Sequence, residues 1–248
     1  MKEFHIEDIP LSCTWFIVGV PGSGKGKLVE NLLYYNRDKY PVGKFFTGSP
    51  TDEEKISGIA HPLYITSTYD KEAERQHIQR QRLMIQENGR GYAGNYAVNV
   101  LDDITDDPKV FKTQEIKGIF KIGSQHWAQL AIVTSQYAMD VPPDVRRSIS
   151  YVALFKEENE TELKKLYKNF GGVFGTYNNF CRAMKEFTGD YTCLIINRRS
   201  QSSKIEDCVS YYRTKLLPKN WSFGCKEYIE WAKKRYNSDR RVGGVPGL

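Results

Sequence analysis

The 248-residue chain has no apolar run approaching the roughly 18 residues that a membrane-spanning helix needs. Its N-terminus, Met1-Lys2-Glu3-Phe4-His5, puts charges where a signal peptide carries its apolar stretch, so a secreted protein is not expected. The five cysteines, Cys13, Cys181, Cys193, Cys208 and Cys225, are scattered without any C-x-x-C spacing, and the four histidines never pair at metal-ligand spacing. That pattern excludes a disulfide framework or a zinc module and suits reduced thiols in a cytosol-like compartment. Internal repeats are also missing. A hydrophobic share of 40% is enough for a core and argues against general disorder.

Positive charge is unevenly placed. Residues 198–248 hold 12 Lys/Arg against 5 Asp/Glu, whereas residues 1–197 are close to neutral. Tyr211, Tyr212, Trp221, Phe223, Tyr228, Trp231 and Tyr236 are interleaved with these charges. Such a segment either faces a polyanion, with rings stacking on bases, or is a solvated helical face whose rings belong to the core. It divides the chain into an expected core domain, 1–197, and a basic, aromatic-rich C-terminal extension, 198–248.

Short apolar runs alternate with helical patterns along the core. Strands are expected at 13–19, 44–47, 63–66, 96–101, 130–134, 151–155 and, as the last of the sheet, 191–197. Helices are expected at 24–35, 70–91 (a polar surface helix stopped at Asn88-Gly89), 114–122, 158–169 and 177–187, with a turn at Val141-Pro142-Pro143-Asp144. The alternation implies an α/β fold with a mostly parallel sheet covered by helices on both faces.

Between the first long strand and the first long helix lies Gly19-Val20-Pro21-Gly22-Ser23-Gly24-Lys25-Gly26. This is the context that a P-loop, G-x-x-x-x-G-K-[ST], requires. Backbone N–H groups turned toward one point and the helix N-terminus favour a phosphate chain, and Lys25 adds a point charge. The expected nucleotide-binding residues are Gly19, Pro21, Gly22, Ser23, Gly24, Lys25, Gly26 and Lys27. One ligand is missing: position 26, where a hydroxyl would bind Mg²⁺, is glycine. The Gly-Lys-Gly form is similar to the loop of adenylate kinases, which keeps a nucleoside-monophosphate kinase as an alternative, although no D-G-F-P-R-like segment accompanies it.

The strand Val98-Asn99-Val100-Leu101 ends in Asp102-Asp103. Beside a P-loop, such a strand aims its first carboxylate at the metal, so Asp102 is assigned to Mg²⁺ and Asp103 to the attacking water. Without a P-loop, these two and Asp106 and Asp107 would read as capping and loop acids. Gln136 ends the strand Leu130–Ser135, either to hydrogen-bond a γ-phosphate and a lytic water or simply to face solvent.

From the loop through Leu101-Asp102-Asp103 to Val133-Thr134-Ser135-Gln136-Tyr137-Ala138-Met139-Asp140-Val141-Pro142-Pro143-Asp144-Val145-Arg146, the sequence resembles the genome-packaging ATPases of large double-stranded DNA viruses and virophages. These belong to the FtsK–HerA branch of P-loop motors. Lys164–Phe170 and Tyr191–Ile196 resemble that family's downstream segments, so the likeness runs from about Leu11 to Asn197. It implies a RecA-like core and a homo-oligomeric ring, a hexamer or pentamer, with ATP and Mg²⁺ at subunit interfaces and double-stranded DNA in the channel. Capsid components would be partners, in the virion or the host cytoplasm. Lys25 matches the family's phosphate-binding lysine, Asp102 and Asp103 its acidic pair and Gln136 its sensor. Gln125 stands where the family usually carries an arginine before His-Trp, which leaves Arg146 or Arg147 to act as the trans-acting cation or merely to form surface ion pairs. The implied activity is ATP-driven DNA translocation into a capsid. A ring protein that binds nucleotide with little turnover is the further alternative, because Gly26 and Gln125 both fall on catalytic positions.

Overall fold

The computed structural model describes residues 1–48, 50–104, 109–123, 126–138 and 141–236. Among these residues nine strands form one sheet: β1 (Lys2–Glu3), β2 (Cys13–Val18), β3 (Val42–Thr47), β4 (Ile65–Thr66), β5 (Ala97–Asp102), β6 (Gln129–Ser135), β7 (Tyr151–Leu154), β8 (Thr192–Asn197) and β9 (Val209–Arg213). Their order is β1-β9-β8-β7-β2-β6-β5-β3-β4. Every neighbouring pair is parallel except the two made by β8, which runs against β7 and β9. The expected α/β, mostly parallel P-loop architecture is therefore present.

The described helices are α1 (Lys25–Asn36), α2 (Pro50–Ser57), α3 (Lys71–Asn88), α4 (Gln114–Gly118, continued by a wider turn to Gly123), α5 (Pro143–Arg146), α6 (Glu160–Phe170), α7 (Tyr177–Phe187), α8 (Ile205–Cys208) and α9 (Lys226–Arg235). Strand alternation sends side chains to two cores. Trp15, Ile17, Val98 and Val100 pack with Leu28, Leu32 and Leu33 of α1 and Ile56 of α2. Phe16, Val18, Leu101 and Val133 pack on the other face with Ile116 of α4, Leu166 and Phe170 of α6, and Phe180 and Met184 of α7. A sheet buried on both faces explains why its central strands read as continuous apolar runs.

Three expectations change. The strand at 63–66 shrinks to two residues because Pro62 opens a tight turn, capped where His61 Nδ1 accepts the Leu63 N–H at 3.2 Å; proline suits a turn start and cannot donate to a ladder. The turn after Val141 winds into α5, for which Pro143 is a favoured first residue. The helix expected as a surface element buries a polar face: Glu74, His77 and Gln81 lie inside with Ile78. Gln81 Nε2 donates to the carbonyls of Asn95 (2.7 Å) and Trp127 (2.8 Å), and Asn99 Nδ2 donates to Glu74 Oε1 at 2.7 Å. Burial pushes Glu74 up to about 8, Lys44 on β3 down to about 8 and His77 down to about 3.

The sheet also extends beyond Asn197, the expected last strand. Val209–Arg213 pairs with β8, and β1 then adds itself to β9 as a parallel edge strand. From there the chain crosses to the opposite edge. The Lys215 N–H donates to Asn31 Oδ1 (2.7 Å), the Phe223 N–H to the Ile59 carbonyl (2.7 Å) and the Cys225 N–H to the Pro41 carbonyl (2.8 Å). Tyr228 stacks on Tyr64 at 3.7 Å and hydrogen-bonds the Gly43 backbone. Tyr212 and Phe223 are buried and Trp221 meets Tyr34 edge-on at 5.3 Å. For these rings the core reading of the aromatic segment holds. Trp231 stays at the surface, with the Arg235 guanidinium 4.3 Å above its ring.

Candidate active site

The phosphate loop leaves β2 and enters α1. Gly24 caps that helix at φ +117, a conformation that side chains rarely adopt, and a Cβ there would come within 3.0 Å of both the Phe155 and the Tyr191 ring. The Lys25 ammonium lies over its own loop, donating to the Gly19 carbonyl at 2.7 Å and the Val20 carbonyl at 3.4 Å. Burial lowers its pKa, while the charges of Asp103, Asp102 and Asp52 pull the other way. Pro21, Gly22, Gly26 and Lys27 are exposed along the loop and Ser23 is half-buried. A Cβ at Gly26 would meet nothing within 4 Å, so space does not explain the missing hydroxyl.

Parallel strands β2, β6 and β5 bring the loop, Gln136 and the acidic pair to one edge of the sheet. Thr134 ties the acids together: its Oγ1 donates to Asp102 Oδ1 at 2.5 Å and accepts the Asp103 N–H at 2.9 Å. Gln136 Nε2 donates to Asp103 Oδ2 at 3.0 Å. Asp103 holds a left-handed backbone (φ 49), the kind of strain found at functional sites. The Asp102 carboxyl is pushed up by burial; the Thr134 bond opposes this and the charges of Asp52 and Asp103 add to it. Its carbonyl accepts the Gly48 N–H at 2.7 Å.

The structure thus joins Asp102, Asp103 and Gln136 and sets Lys25 within electrostatic reach. Arg146 is buried, at 7% exposure, and its Nη1 donates to the Ala138 carbonyl at 3.5 Å, whereas Arg147 is exposed. Gln125, Asp106 and Asp107 lie outside the described residues. Thr134 and Gly48 are site residues without an assigned role in the sequence reading. Thr134 had a signal, since it is the first polar residue after Leu130–Val133 in an aliphatic strand and shares a face with Gln136. Gly48 had none.

Among the described residues no group of three or more His, Cys, Asp or Glu side chains could hold a metal ion. One half-buried carboxylate next to a phosphate loop suits Mg²⁺, which is commonly held by one or two carboxylates, waters and substrate phosphates and not by an all-protein cage. Asp102 is the residue that would hold it.

Two clefts border the edge. One, of about 500 Å³, lies between the loop residues Val20–Ser23, Phe155–Glu158 and Gly189–Thr192. The other, of about 340 Å³, lies beyond Asp103, against Gly48, Tyr69 and Val110.

No protein-family model matches the chain. Protein 075L of Invertebrate iridescent virus 6 is 36% identical over 223 residues, covering 89% of this chain and 85% of its own length. Protein 088R of Invertebrate iridescent virus 3 is 34% identical over 223 residues, covering 88% and 83%. The genome packaging NTPase B204 of Sulfolobus turreted icosahedral virus 2, solved with ATPγS, aligns with a TM-score of 0.59 at 16% identity, over 84% of this chain and 100% of that one. The cytoplasmic domain of the Thermomonospora curvata Type VII secretion ATPase EccC gives 0.52 at 9% identity, over 86% and 27%. At such identities these structures establish the fold: the architecture is that of packaging and secretion P-loop ATPases, and the resemblance to packaging ATPases read from the sequence is borne out at that level.

Proposed function

The chain belongs to the viral protein family that includes 075L of Invertebrate iridescent virus 6 and 088R of Invertebrate iridescent virus 3, and we propose that it is an ATPase that drives double-stranded DNA into a viral capsid. The observation that carries this reading is the bonded series Asp102–Thr134–Asp103–Gln136 at the edge that also presents Lys25 and the phosphate loop. The fold shared with a genome packaging NTPase solved with an ATP analogue supports the substrate and the setting.

In this reading the loop amides and Lys25 hold the β- and γ-phosphates. Mg²⁺ at Asp102 would neutralise phosphate charge. Asp103 accepts a proton from the attacking water, and Gln136 keeps its carboxylate aimed. A cation from a neighbouring ring subunit completes the site; Arg147, exposed on the segment after the double proline, is the better placed of the two arginines, since Arg146 is bonded into its own loop. The basic exposed residues of the C-terminal extension face DNA, and capsid components complete the assembly in the virus-infected cell or the virion.

The decisive experiment is steady-state ATP hydrolysis with and without duplex DNA. DNA should stimulate turnover, and Lys25→Ala should lower it by roughly tenfold or more. Equal rates for mutant and wild type would remove the site assignment. Gly26 favours a second reading, a nucleotide-binding ring protein that turns over slowly; DNA binding without phosphate release under any condition would support it instead.

A further inference from the structure

We infer that the turn Gly189-Asp190-Tyr191, with Phe155–Glu158 facing it, is the nucleoside subsite, where the Tyr191 ring stacks on the base. The inference rests on the phosphate-loop reading above.

Strand order sets the direction of the ligand. The acids and Gln136 stand at the ends of β5 and β6, to one side of β2, whereas β7 and β8 lie to the other. A triphosphate laid on the loop with its γ end toward Asp102 and Asp103 sends its α end toward β7 and β8. There the cleft of about 500 Å³ opens, walled on one side by Val20–Ser23 of the loop itself, a size ordinary for small-molecule sites.

The turn is built to present a side chain to that cleft. Because β8 is antiparallel, it begins at the edge where its parallel neighbours end, and the turn before it arrives beside the loop. Gly189 and Thr192 close the turn with two backbone bonds, 2.8 and 3.3 Å. Asp190 (φ 47) and Tyr191 (φ 59) are both left-handed, the geometry of a type I′ hairpin turn, whose second central position favours glycine. A tyrosine there is a local cost with no packing core to reward it, since the residue remains 49% exposed. What the ring does touch is the phosphate loop: it stands against Gly24, and the Lys27 ammonium lies 5.0 Å from its centroid. A half-exposed electron-rich ring beside phosphate-binding glycine suits a flat heteroaromatic base, and such stacking tolerates different bases, with purines offering the larger face.

Titration of the full chain with ATP and with inorganic tripolyphosphate tests this, using wild type, Tyr191→Gly, Tyr191→Phe and Lys25→Ala. Glycine suits the turn, so Tyr191→Gly should melt no lower than wild type. It should weaken ATP by roughly tenfold or more while leaving tripolyphosphate unchanged, and Tyr191→Phe should retain ATP affinity. Unchanged ATP affinity in Tyr191→Gly, equal loss of both ligands, or equal affinity of wild type for both ligands would overturn the subsite. Lys25→Ala should weaken both ligands alike; if it weakens neither, the phosphate-loop reading fails, and the ATP-to-tripolyphosphate ratio in Tyr191→Gly still judges the turn.

Discussion

Gly48 lies so close to Asp103 that a Cβ on it would stand 1.9 Å from the Asp103 carbonyl oxygen. The approach links the end of β3 to the end of β5, where Gly48 N–H also bonds the Asp102 carbonyl at 2.7 Å. Any side chain here must force the ends of β3 and β5 apart and so disturb the placement of the acidic pair. Gly48→Ala is therefore expected to lower kcat by roughly 10²-fold, the scale of a displacement near 1 Å at a reacting group. Affinity for ATP without metal should stay close to wild type, because the loop and Lys25 are untouched. Paired kcat and Kd measurements check this; a full-rate Gly48→Ala enzyme would mean that Asp103 needs no such placement.

The polar layer beneath α3 gives the fold a distinct pH dependence. Burial pushes Glu74 up to about 8 from its ordinary 4.5, with Asn99 and Lys44 opposing and Glu115 adding to the rise. The folded chain therefore keeps a proton that the unfolded chain loses, and stability drains as pH climbs toward 8. His77 acts in the opposite sense, but only between about 3 and 6.5, and Lys44 only above about 8. Between these limits, from 6.5 to 8, neither His77 nor Lys44 opposes Glu74, and its contribution should lower stability by about 1 kcal/mol per pH unit. Glu74→Gln should flatten that slope. Denaturant unfolding at several pH values measures it, and a wild type that is equally stable across the window would show that Glu74 is ionised in the fold.

How far the sequence foretold all this depended on whether a feature was local. The loop, the acids after Leu101 and Gln136 are consecutive-residue signals on strands whose apolar runs were plain, so their meeting at one edge followed from the α/β pattern. Gly48 could not be found that way, because its role is an approach between strands that are neighbours only in space. Glu74 and His77 were misplaced for a related reason. A helix rich in Gln, Glu and Arg looks solvated until Asn99, Lys44 and Gln129 are seen to offer it a polar sheet face. β9 was hidden because Val209-Ser210-Tyr211-Tyr212-Arg213 sits in the basic, aromatic segment, whose charges and rings read as a polyanion surface or as a solvated helical face and in neither case as a strand.

That packing also decides how DNA binding by the C-terminal segment is to be tested. Deleting 198–248 would strip β9 from the sheet and Phe223 from the core, so a loss of binding would not distinguish a missing DNA surface from a damaged fold. Lys233, Lys234 and Arg235 are instead exposed on the last turn of α9. Replacing all three by Ala should weaken duplex DNA and reduce the slope of log K against log salt by about 0.9 for each phosphate that is no longer neutralised, with ATP affinity retained. The same affinity and slope in the variant would make this helix end a solvated face.

Gly26 offers the most direct test of whether the site is a slow or a fast ATPase. P-loops place Ser or Thr here so that a hydroxyl joins the magnesium shell, and nothing within 4 Å would obstruct a Cβ. The position is exposed in the first turn of α1, and in helices glycine is less favourable than threonine, so Gly26→Thr should not unfold the chain. If turnover is limited by an incomplete metal shell, the substitution should raise kcat and shift the Mg²⁺ dependence to several-fold lower concentration. ATP binding in the presence of a chelator should not change. A higher kcat with an unshifted Mg²⁺ curve would assign the gain to the helix start and not to the metal. No change in either would mean that the phosphates, water and Asp102 already complete the shell, and that glycine costs this site nothing.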